Sequence, residues 1–575
     1  MIAACRKLNV DTEFVINEFD SRERARLVSA VGLHERFQYK MTFCEVMQQL
    51  PYACCKLGEP RSDPVRGRDL AAHVFDEAEP GDRDRFCAWQ VMNTQDTRDK
   101  LFIHKDAAFE QLRKWSASDA MSLFVTHPTK PSCVTTKSIY KSQIAINDLW
   151  AKAEVVCGPG CLGGLEDLDA DQLSGATSIM GSPASVLTAP GGTGKSWTVG
   201  KIVAALVDDH VSVVCLTPTH KAKLNLRDEV PDGVTVSTIH SYTSFLNNYA
   251  DECPTELFVI IDETSMVDVP TMGGFAAALM RVARRWQICL VGDDAQLQPV
   301  GRGEFFRKVI KQCPRDVVRL TKCHRAKTQA MYDFQLAVRK GTLPSGDGEV
   351  VDVRTFHKDD EIMEAAASIV AAEGARTKYV AWTNADVDKV NLLVQKRETG
   401  APVPGKPFNA GDEVVYVGGN LESLTNAMCG TFVGYRASVK KAKNGRFVRK
   451  LKAVVDWGDG EFPCCDGDSD SDDSGSDGDS DDDKETDDEG TVDLSDLKLA
   501  YCLTVHKAQG SGYERVCVLC LRMKGMLHLN CDRRWLYTAV SRAKDSLVVL
   551  CTPDAAALAA REAGPLGRSV LDFRG

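Results

Sequence analysis

Apolar residues in this chain come in short runs broken by glycine, aspartate and proline, and two spacings dominate. Nearly continuous apolar runs at 184–187, 211–216, 257–261, 287–291 and 515–521 predict strands buried on both faces, the pattern of a parallel sheet covered by helices. Residues 106–115 and 197–207 repeat apolar positions at helical spacing. From 408 to 457 the pattern shifts toward alternation, which predicts antiparallel strands with one solvated face. No run approaches the length of a membrane-spanning helix, and Arg6 and Lys7 interrupt the N-terminus before a signal-peptide core could form. No membrane partner is expected.

The loop after the first run carries the sharpest chemistry. Residues 189–196 read "APGGTGKS", which departs from G-x-x-x-x-G-K-[ST] only in having Ala189 at the first glycine. Gly191, Gly192 and Gly194, with Pro190 and Thr193 between and before them, let the backbone curl closely around phosphate and present its N–H groups. Lys195 would reach the β- and γ-phosphates of ATP, and the Ser196 hydroxyl would meet Mg²⁺. A glycine-rich turn without ligand is the plainer alternative.

Later runs end in polar residues, and in a parallel sheet the functional loops lie at the carboxyl ends of strands. Asp262 and Glu263 follow 257–261, where the first can hold Mg²⁺ through water and the second can polarise an attacking water. Gln296, in "GDDAQLQPVG" after 287–291, is placed to sense the γ-phosphate. Arg325 and Arg542 supply guanidinium groups suited to charge on a transferring phosphoryl group. Both follow the first nucleotide-binding segment, so they imply a second lobe that closes on ATP. Residues 503–514, "LTVHKAQGSGYE", gather hydroxyl, imidazole, ammonium and amide donors that can meet a phosphate backbone as well as the nucleotide.

Composition narrows the setting. A chain of 575 residues with 43% hydrophobic and 26% charged residues has ample material for several soluble globular domains. Its 21 cysteines lack a disulfide-like framework, so a reducing intracellular compartment with core thiols is expected. Neither Cys517/Cys520, Cys157/Cys161 nor Cys54/Cys55 has a second ligand pair at zinc spacing. The net charge of −11 is concentrated: residues 466–490 hold 14 acidic residues and one lysine, and the remainder carries +2. That Ser-Asp-Gly tract is expected to be a disordered loop. Upstream, 440–452 carries seven Lys/Arg around Asn444-Gly445, a hairpin signal. Together they form either solvated surface or an electrostatic gate over a nucleic-acid groove. Ser469, Ser474, Ser476 and Ser480 each precede an aspartate by three residues, a spacing acidophilic kinases prefer. This points to a eukaryotic host, hence a nucleus or a viral replication site.

In order, "APGGTGKS", "LTPTHKAK", "STIHSY", "VIIDETSM", "VGDDAQLQPVG", "KCHRA", "LTVHKAQGSGYE" and "LYTAVSRAK" resemble the motifs of superfamily 1 helicases. The "DETSM" and "GDDAQLQPVG" forms are similar to the RecD/Pif1/Dda branch, DNA helicases that move 5′→3′; a large DNA virus is one source that fits. The resemblance spans about 166–553 and implies an α/β fold of two tandem RecA-like P-loop lobes gripping single-stranded DNA, with ATP and Mg²⁺ between them. It gives Gln172 the reading of adenine, places Gln509 and Gly510 at the nucleotide, and makes Glu263 the catalytic base. It makes Gln296 the coupling residue and Arg325 and Arg542 arginine fingers. Thr217, Pro218, Thr219, His240, Trp382, Asn384, Thr504, His506 and Lys507 resemble DNA-contacting positions, Trp382 as a base-stacking or a structural residue.

The resemblance implies lobe 1A at 166–315 and lobe 2A at 316–404 and 496–560; residues 1–160 lie outside it and are expected to form an N-terminal accessory domain that docks a partner or DNA. An SH3-like 2B insertion occupies 405–495 and contains the acidic tract. Residues 241–256 are short for the β-hairpin pin of a 1B element; Phe245 and Tyr249 are its available wedge aromatics, or else buried packing. The expected function is ATP-dependent 5′→3′ DNA unwinding in replication, recombination or repair, by a monomer at single-strand/duplex junctions. A replication-complex protein could dock on 1–160. The alternatives are an RNA helicase of the same superfamily and a non-unwinding ATPase subunit of a helicase–primase.

Overall fold

The computed structural model describes residues 87–88, 91–92, 100–114, 118–157, 163–322, 329–418, 428–441, 447–457, 491–521, 532–560, 571 and 573. Arg325, Asn444, Gly445 and the acidic tract lie outside the described residues.

Strands β1 (Ile103–His104), β2 (Phe124–His127) and β3 (Lys130–Thr136) form a small antiparallel sheet in the order β1-β3-β2. Helix α1 (Lys105–Lys114) flanks it, and α2 (Lys137–Ala151) leads out of it. This region does not form a core of its own. Ile139, Ile146 and Leu149 of α2 join Met272, Phe275 and Ala276 of the first lobe in one buried cluster. The Trp286 indole donates to the Leu149 carbonyl at 2.9 Å, and Arg302 donates to the carbonyls of Met92 and Lys100. The described part of 1–160 is therefore a flank of lobe 1 rather than a separate accessory domain, because it covers an apolar helix face that solvent would otherwise meet.

Lobe 1 is a six-stranded parallel sheet. Its strands are β4 (Ala184–Thr188), β5 (Val213–Thr217), β6 (Thr235–Thr238), β7 (Glu256–Ile261), β8 (Arg285–Gly292) and β9 (Val317–Arg319), ordered β6-β5-β7-β8-β4-β9. Alternation along each strand feeds two cores. Val186, Leu216, Val259 and Leu290 face the side shared with α2, while Leu187, Cys215, Phe258 and Val291 face the other. Helices α3 (Ala170–Met180) and α4 (Lys195–Asp208) pack on that second face. The lobe extends past the expected boundary at 315, since β9 pairs with β4 through Arg319.

Between β6 and β7 lies α5 (Ile239–Asn248) and a short 3₁₀ turn, with no strand. The aromatic rings of Tyr242, Phe245 and Tyr249 stack in series at 5.5 and 5.9 Å. Tyr242 is buried and Tyr249 is 55% exposed. Helix α6 (Val269–Val282) follows β7.

Lobe 2 begins with α7 (Gln329–Lys340), β10 (Val351–Thr355), β11 (Lys378–Ala381) and α8 (Asn384–Glu398). The chain then leaves the lobe through β12 (Glu413–Tyr416), β13 (Cys429–Lys441), β14 (Phe447–Asp456), β15 (Thr491–Asp493) and β16 (Leu497–Leu499), an antiparallel sheet ordered β15-β14-β13-β12-β16. This all-β insertion runs through Leu499, past the expected end at 495, because β16 pairs with β12. The chain returns as β17 (Cys502–Thr504), α9 (Val505–Ala508), β18 (Tyr513–Cys520), α10 (Arg533–Val540) and β19 (Ala543–Cys551). The lobe's parallel sheet is ordered β10-β19-β18-β11-β17.

Candidate nucleotide and strand sites

The phosphate loop joins β4 to α4, as its sequence predicts. Gly192 and Gly194 adopt φ of 81° and 78°, left-handed conformations that only glycine takes without strain. Ala189 has no such requirement; its methyl is buried among Leu187, Val199 and Val291. Gly194 caps α4 without a side chain, which leaves the first helical amides facing the loop as an anion site. The Lys195 ammonium folds back to donate to the carbonyls of Ala189 (2.9 Å) and Pro190 (3.1 Å). Thr193 Oγ1 donates to the Pro190 carbonyl at 2.9 Å. Gln172 sits in the first turn of α3 in a capping box with Asp169, and its amide reaches the Thr193 carbonyl at 3.5 Å. That fixes it at the rim of the phosphate loop.

Asp262 leaves the end of β7 buried, its carboxylate accepting the Glu263 N–H at 2.7 Å. Burial, then the neighbouring Glu263 carboxylate, pushes the Asp262 carboxyl up to about 7, while that N–H and the Lys195 ammonium pull it down. Glu263 holds a positive φ of 49°, a strained conformation for a residue with a side chain, at the position assigned to the base.

The third loop, after β8, belongs structurally to both lobes. Asp293 is fully buried, and Leu297 is buried among Met331, Phe334 and Trp535 of lobe 2. The Gln296 side-chain oxygen Oε1 accepts from the Gln509 side-chain amide across the lobes at 3.5 Å. Arg542 is 5% exposed and held by the Thr538 carbonyl, the Ser511 carbonyl and the Ser541 hydroxyl at 2.9–3.0 Å. A Cβ on Gly191 would lie 3.9 Å from that of Ser541, so the segment bearing Arg542 adjoins the phosphate loop. Gly510 accepts from Asn225 of lobe 1 at 2.9 Å. Lys195 thus lies near Asp262, Gln296 meets Gln509 across the lobes, and the segment bearing Arg542 adjoins the phosphate loop.

A second concavity of about 280 Å³ opens between the lobes, lined by Pro218, Thr219, His240 and Val300 from lobe 1 and by His506 and Gln509 from lobe 2. Val300 is 81% exposed. Thr217 departs from its expected role: it is fully buried, and its hydroxyl donates to the Thr219 carbonyl at 2.9 Å, shaping the loop instead of meeting a strand. Trp382 packs edge-on against Trp535 and His506, at 5.4 and 6.0 Å, so the structural role dominates for its ring. Asn384 is exposed at the start of α8. Thr504 caps α9, its hydroxyl accepting the Lys507 N–H. Burial lowers the His506 pKa, and burial with the Lys498 charge lowers that of Lys507.

Sequence reasoning missed Arg339, Tyr537 and Arg534. Arg534 reaches from α10 to Glu304 (2.5 Å) and Gln298 (2.8 Å) of lobe 1. Arg339 and Tyr537 meet Asp293. Tyr537 lies within "LYTAVSRAK", but Arg339 is in no motif, and only the fold brings it here. Among the described residues no group of three or more His, Cys, Asp or Glu could hold a metal ion, and no helix is long and apolar enough to cross a membrane.

The chain matches the AAA domain family over residues 167–367 and the UvrD-like helicase C-terminal domain family over 499–550. It is 28% identical over 397 residues to the ATP-dependent RecD2 DNA helicase of Deinococcus radiodurans, covering 66% of this chain and 48% of that protein. To the RecBCD enzyme subunit RecD of Mycobacterium tuberculosis it is 23% identical, covering 66% and 68%. An uncharacterised protein of Methanocaldococcus jannaschii is 23% identical, with 66% and 37% covered. The chain thus spans about half or less of several curated relatives it matches. Among solved structures, the Pif1 helicase of Candida albicans aligns at 19% identity and a TM-score of 0.42, covering 69% of this chain and 96% of that one.

Proposed function

We propose that this superfamily 1 helicase of the RecD/Pif1-like branch couples ATP hydrolysis to 5′→3′ movement along single-stranded DNA, in replication, recombination or repair. The observation that carries the reading is a single loop with two ends. Gln296, whose motif gives it the γ-phosphate, meets Gln509 of lobe 2, and three residues on, Pro299, Val300 and Gly301 line the interlobe groove. A shift of this loop on hydrolysis is therefore felt at the groove.

In the cleft, the phosphate-loop amides and Lys195 bind the polyphosphate, and Gln172 accepts the base edge. Mg²⁺ fits the donor set: a buried carboxyl held partly protonated by its surroundings is one that a cation would re-ionise. Asp262 and Ser196 would hold it, with phosphate oxygens completing the shell, and it would neutralise charge on the β- and γ-phosphates. Glu263 takes the proton of the attacking water. Arg542, and Arg325 by its motif, stabilise the transferring phosphoryl group. Closure of the lobes around ATP and reopening afterwards alternate the grip of Thr219, His240 and His506 on the strand. A monomer suffices for this cycle.

The test is unwinding of 5′-tailed, 3′-tailed and RNA-containing duplexes with ATP. Unwinding of the 5′-tailed DNA alone is expected; equal use of RNA, or a preference for 3′ tails, overturns the substrate or the direction. A second reading has one observation in its favour. The segment 241–255 contains no β-hairpin pin, and translocation without strand separation, as in a non-unwinding ATPase subunit, would show as DNA-stimulated turnover with no product strand.

A further inference from the structure

Asp293 and Asp294 put two carboxylates at the end of β8, beside the site for a polyanion. Left unpaired, they would repel the incoming triphosphate at a range where little water intervenes. One guanidinium answers both. Arg339, near the C-terminus of α7 in lobe 2, donates through Nη1 to Asp293 Oδ1 and through Nη2 to Asp294 Oδ1, each at 2.6 Å. Its side chain is 15% exposed, against 0% for Asp293 and 27% for Asp294. Arg319 also approaches Asp294, at 3.9 Å, and the Thr188 hydroxyl donates to it at 3.2 Å, but both lie within lobe 1.

The same network reaches the phosphate loop. The Tyr537 hydroxyl donates to Asp293 Oδ2 at 2.8 Å and accepts the Gly191 N–H at 3.4 Å. Arg339 Nη1 donates to that hydroxyl at 3.4 Å and its guanidinium lies 5.5 Å from the ring centre. An N–H that a phosphate oxygen would claim is thus engaged by lobe 2 through one hydroxyl. On the other side, the Asp293 carboxylate and carbonyl accept the amides of Ala295 and Gln296. Whatever fixes Asp293 fixes the residue that faces Gln509.

We infer that Arg339 is a positioning residue: by bridging Asp293 and Asp294 it sets the loop bearing Gln296 against the nucleotide, and with Tyr537 it passes the occupancy of the phosphate loop to lobe 2. The planar fork suits this site, because Nη1 and Nη2 donate to different carboxylates and Nη1 also to the Tyr537 hydroxyl, whereas a lysine keeps the charge as a single point and cannot reproduce that spread of donors. This rests on the ATP-driven motor proposed above.

The test uses the full chain with Arg339→Gln, Arg339→Lys and the Asp293→Asn/Arg339→Gln double variant. KM and kcat for ATP are measured with and without a thymidine oligonucleotide, and mant-ADP binding without DNA. In Arg339→Gln, KM for ATP and the mant-ADP Kd rise about tenfold and stimulation by the oligonucleotide falls at least about fivefold, the scale of losing a buried charge-assisted pair. Arg339→Lys recovers nucleotide affinity but not stimulation. The double variant recovers much of the mant-ADP affinity, because the fully buried Asp293 carboxylate is gone while Asp294 keeps Thr188 and Arg319; this separates the effect from misfolding. Wild-type KM and stimulation in Arg339→Gln overturn the inference, as does a fall in kcat alone, equal with and without DNA, that follows the melting temperature. If the wild-type chain shows no DNA-stimulated turnover, the motor reading fails, and mant-ADP binding across the same variants still decides the role of Arg339.

Discussion

The amide of Leu297 donates to the Thr538 hydroxyl at 3.0 Å, a bond between a loop of the first lobe and a helix of the second. The Leu297 side chain follows it into the second lobe's core. Covalently the loop belongs to one lobe; by packing it belongs to the other. Leu297→Ala would leave a cavity at that seam and cost about 2–4 kcal/mol of stability. Because the cavity opens on the loop that bears Gln296, stimulation of ATP turnover by single-stranded DNA should fall more than basal turnover. Thermal unfolding and turnover with and without DNA report the two effects.

Lys195→Ala and Glu263→Gln should part company at the binding step. Lys195 is the loop's cation, so its loss weakens mant-ADP binding and removes turnover. Glu263→Gln keeps the loop intact, so nucleotide should bind while turnover falls about 10²-fold or more. Wild-type turnover in Glu263→Gln would remove it as the base.

Asp262 gives a pH prediction in magnesium-free buffer. Its carboxyl is raised to about 7 in the folded protein, so between the ordinary carboxylate value and 7 the native state holds a proton that the unfolded state has released. Stability from this group is complete at low pH and is lost as pH rises through 7. Asp262→Asn should therefore stabilise the metal-free protein at pH 8, by on the order of 2 kcal/mol, while abolishing turnover. Urea titrations of both proteins at pH 5.5 and pH 8 measure the difference; an equal effect at the two pH values would contradict it.

Adjacent glycines on α6 offer a matched pair of substitutions. A Cβ at Gly273 would lie 2.3 Å from the Ser142 Cβ of α2, whereas at Gly274 it would meet nothing within 4 Å. Gly273→Ala should cost about 1–3 kcal/mol by forcing the helices apart. Gly274→Ala should be neutral or stabilise by up to about 1 kcal/mol through helix propensity. Removal of residues 1–151 should likewise expose Met272 and Phe275 and aggregate the protein, an outcome seen in expression and light scattering.

Much of the cleft was legible because its chemistry is local: a strand, a tight turn and a polar residue at a carboxyl end all lie within a dozen residues. Lys195, Asp262 and Gln296 follow the carboxyl ends of β4, β7 and β8. What was hidden depends on distant partners. Residues 139–149 read as a separate region because the α6 face that buries them is more than a hundred residues away. Strand β9 is three residues long, too short for a periodicity to register. Thr217 has the composition of a strand-contacting loop, and only the turn of its hydroxyl onto Thr219 removes it from the groove. Arg339 ends an ordinary amphipathic helix, and nothing about its neighbours signals two carboxylates in the other lobe.

The all-β insertion leaves the second lobe after α8 and rejoins it at β17, and β17 pairs directly with β11, the strand before α8. A β–α–β crossover is thus complete without any of the intervening residues. The second lobe's sheet has no means of sensing how long that detour is. Lengthening it adds only loop-closure entropy, which grows slowly with length. The charge-rich stretch between β14 and β15 is a segment the chain can extend, shorten or rewrite while the order of its second sheet stays the same.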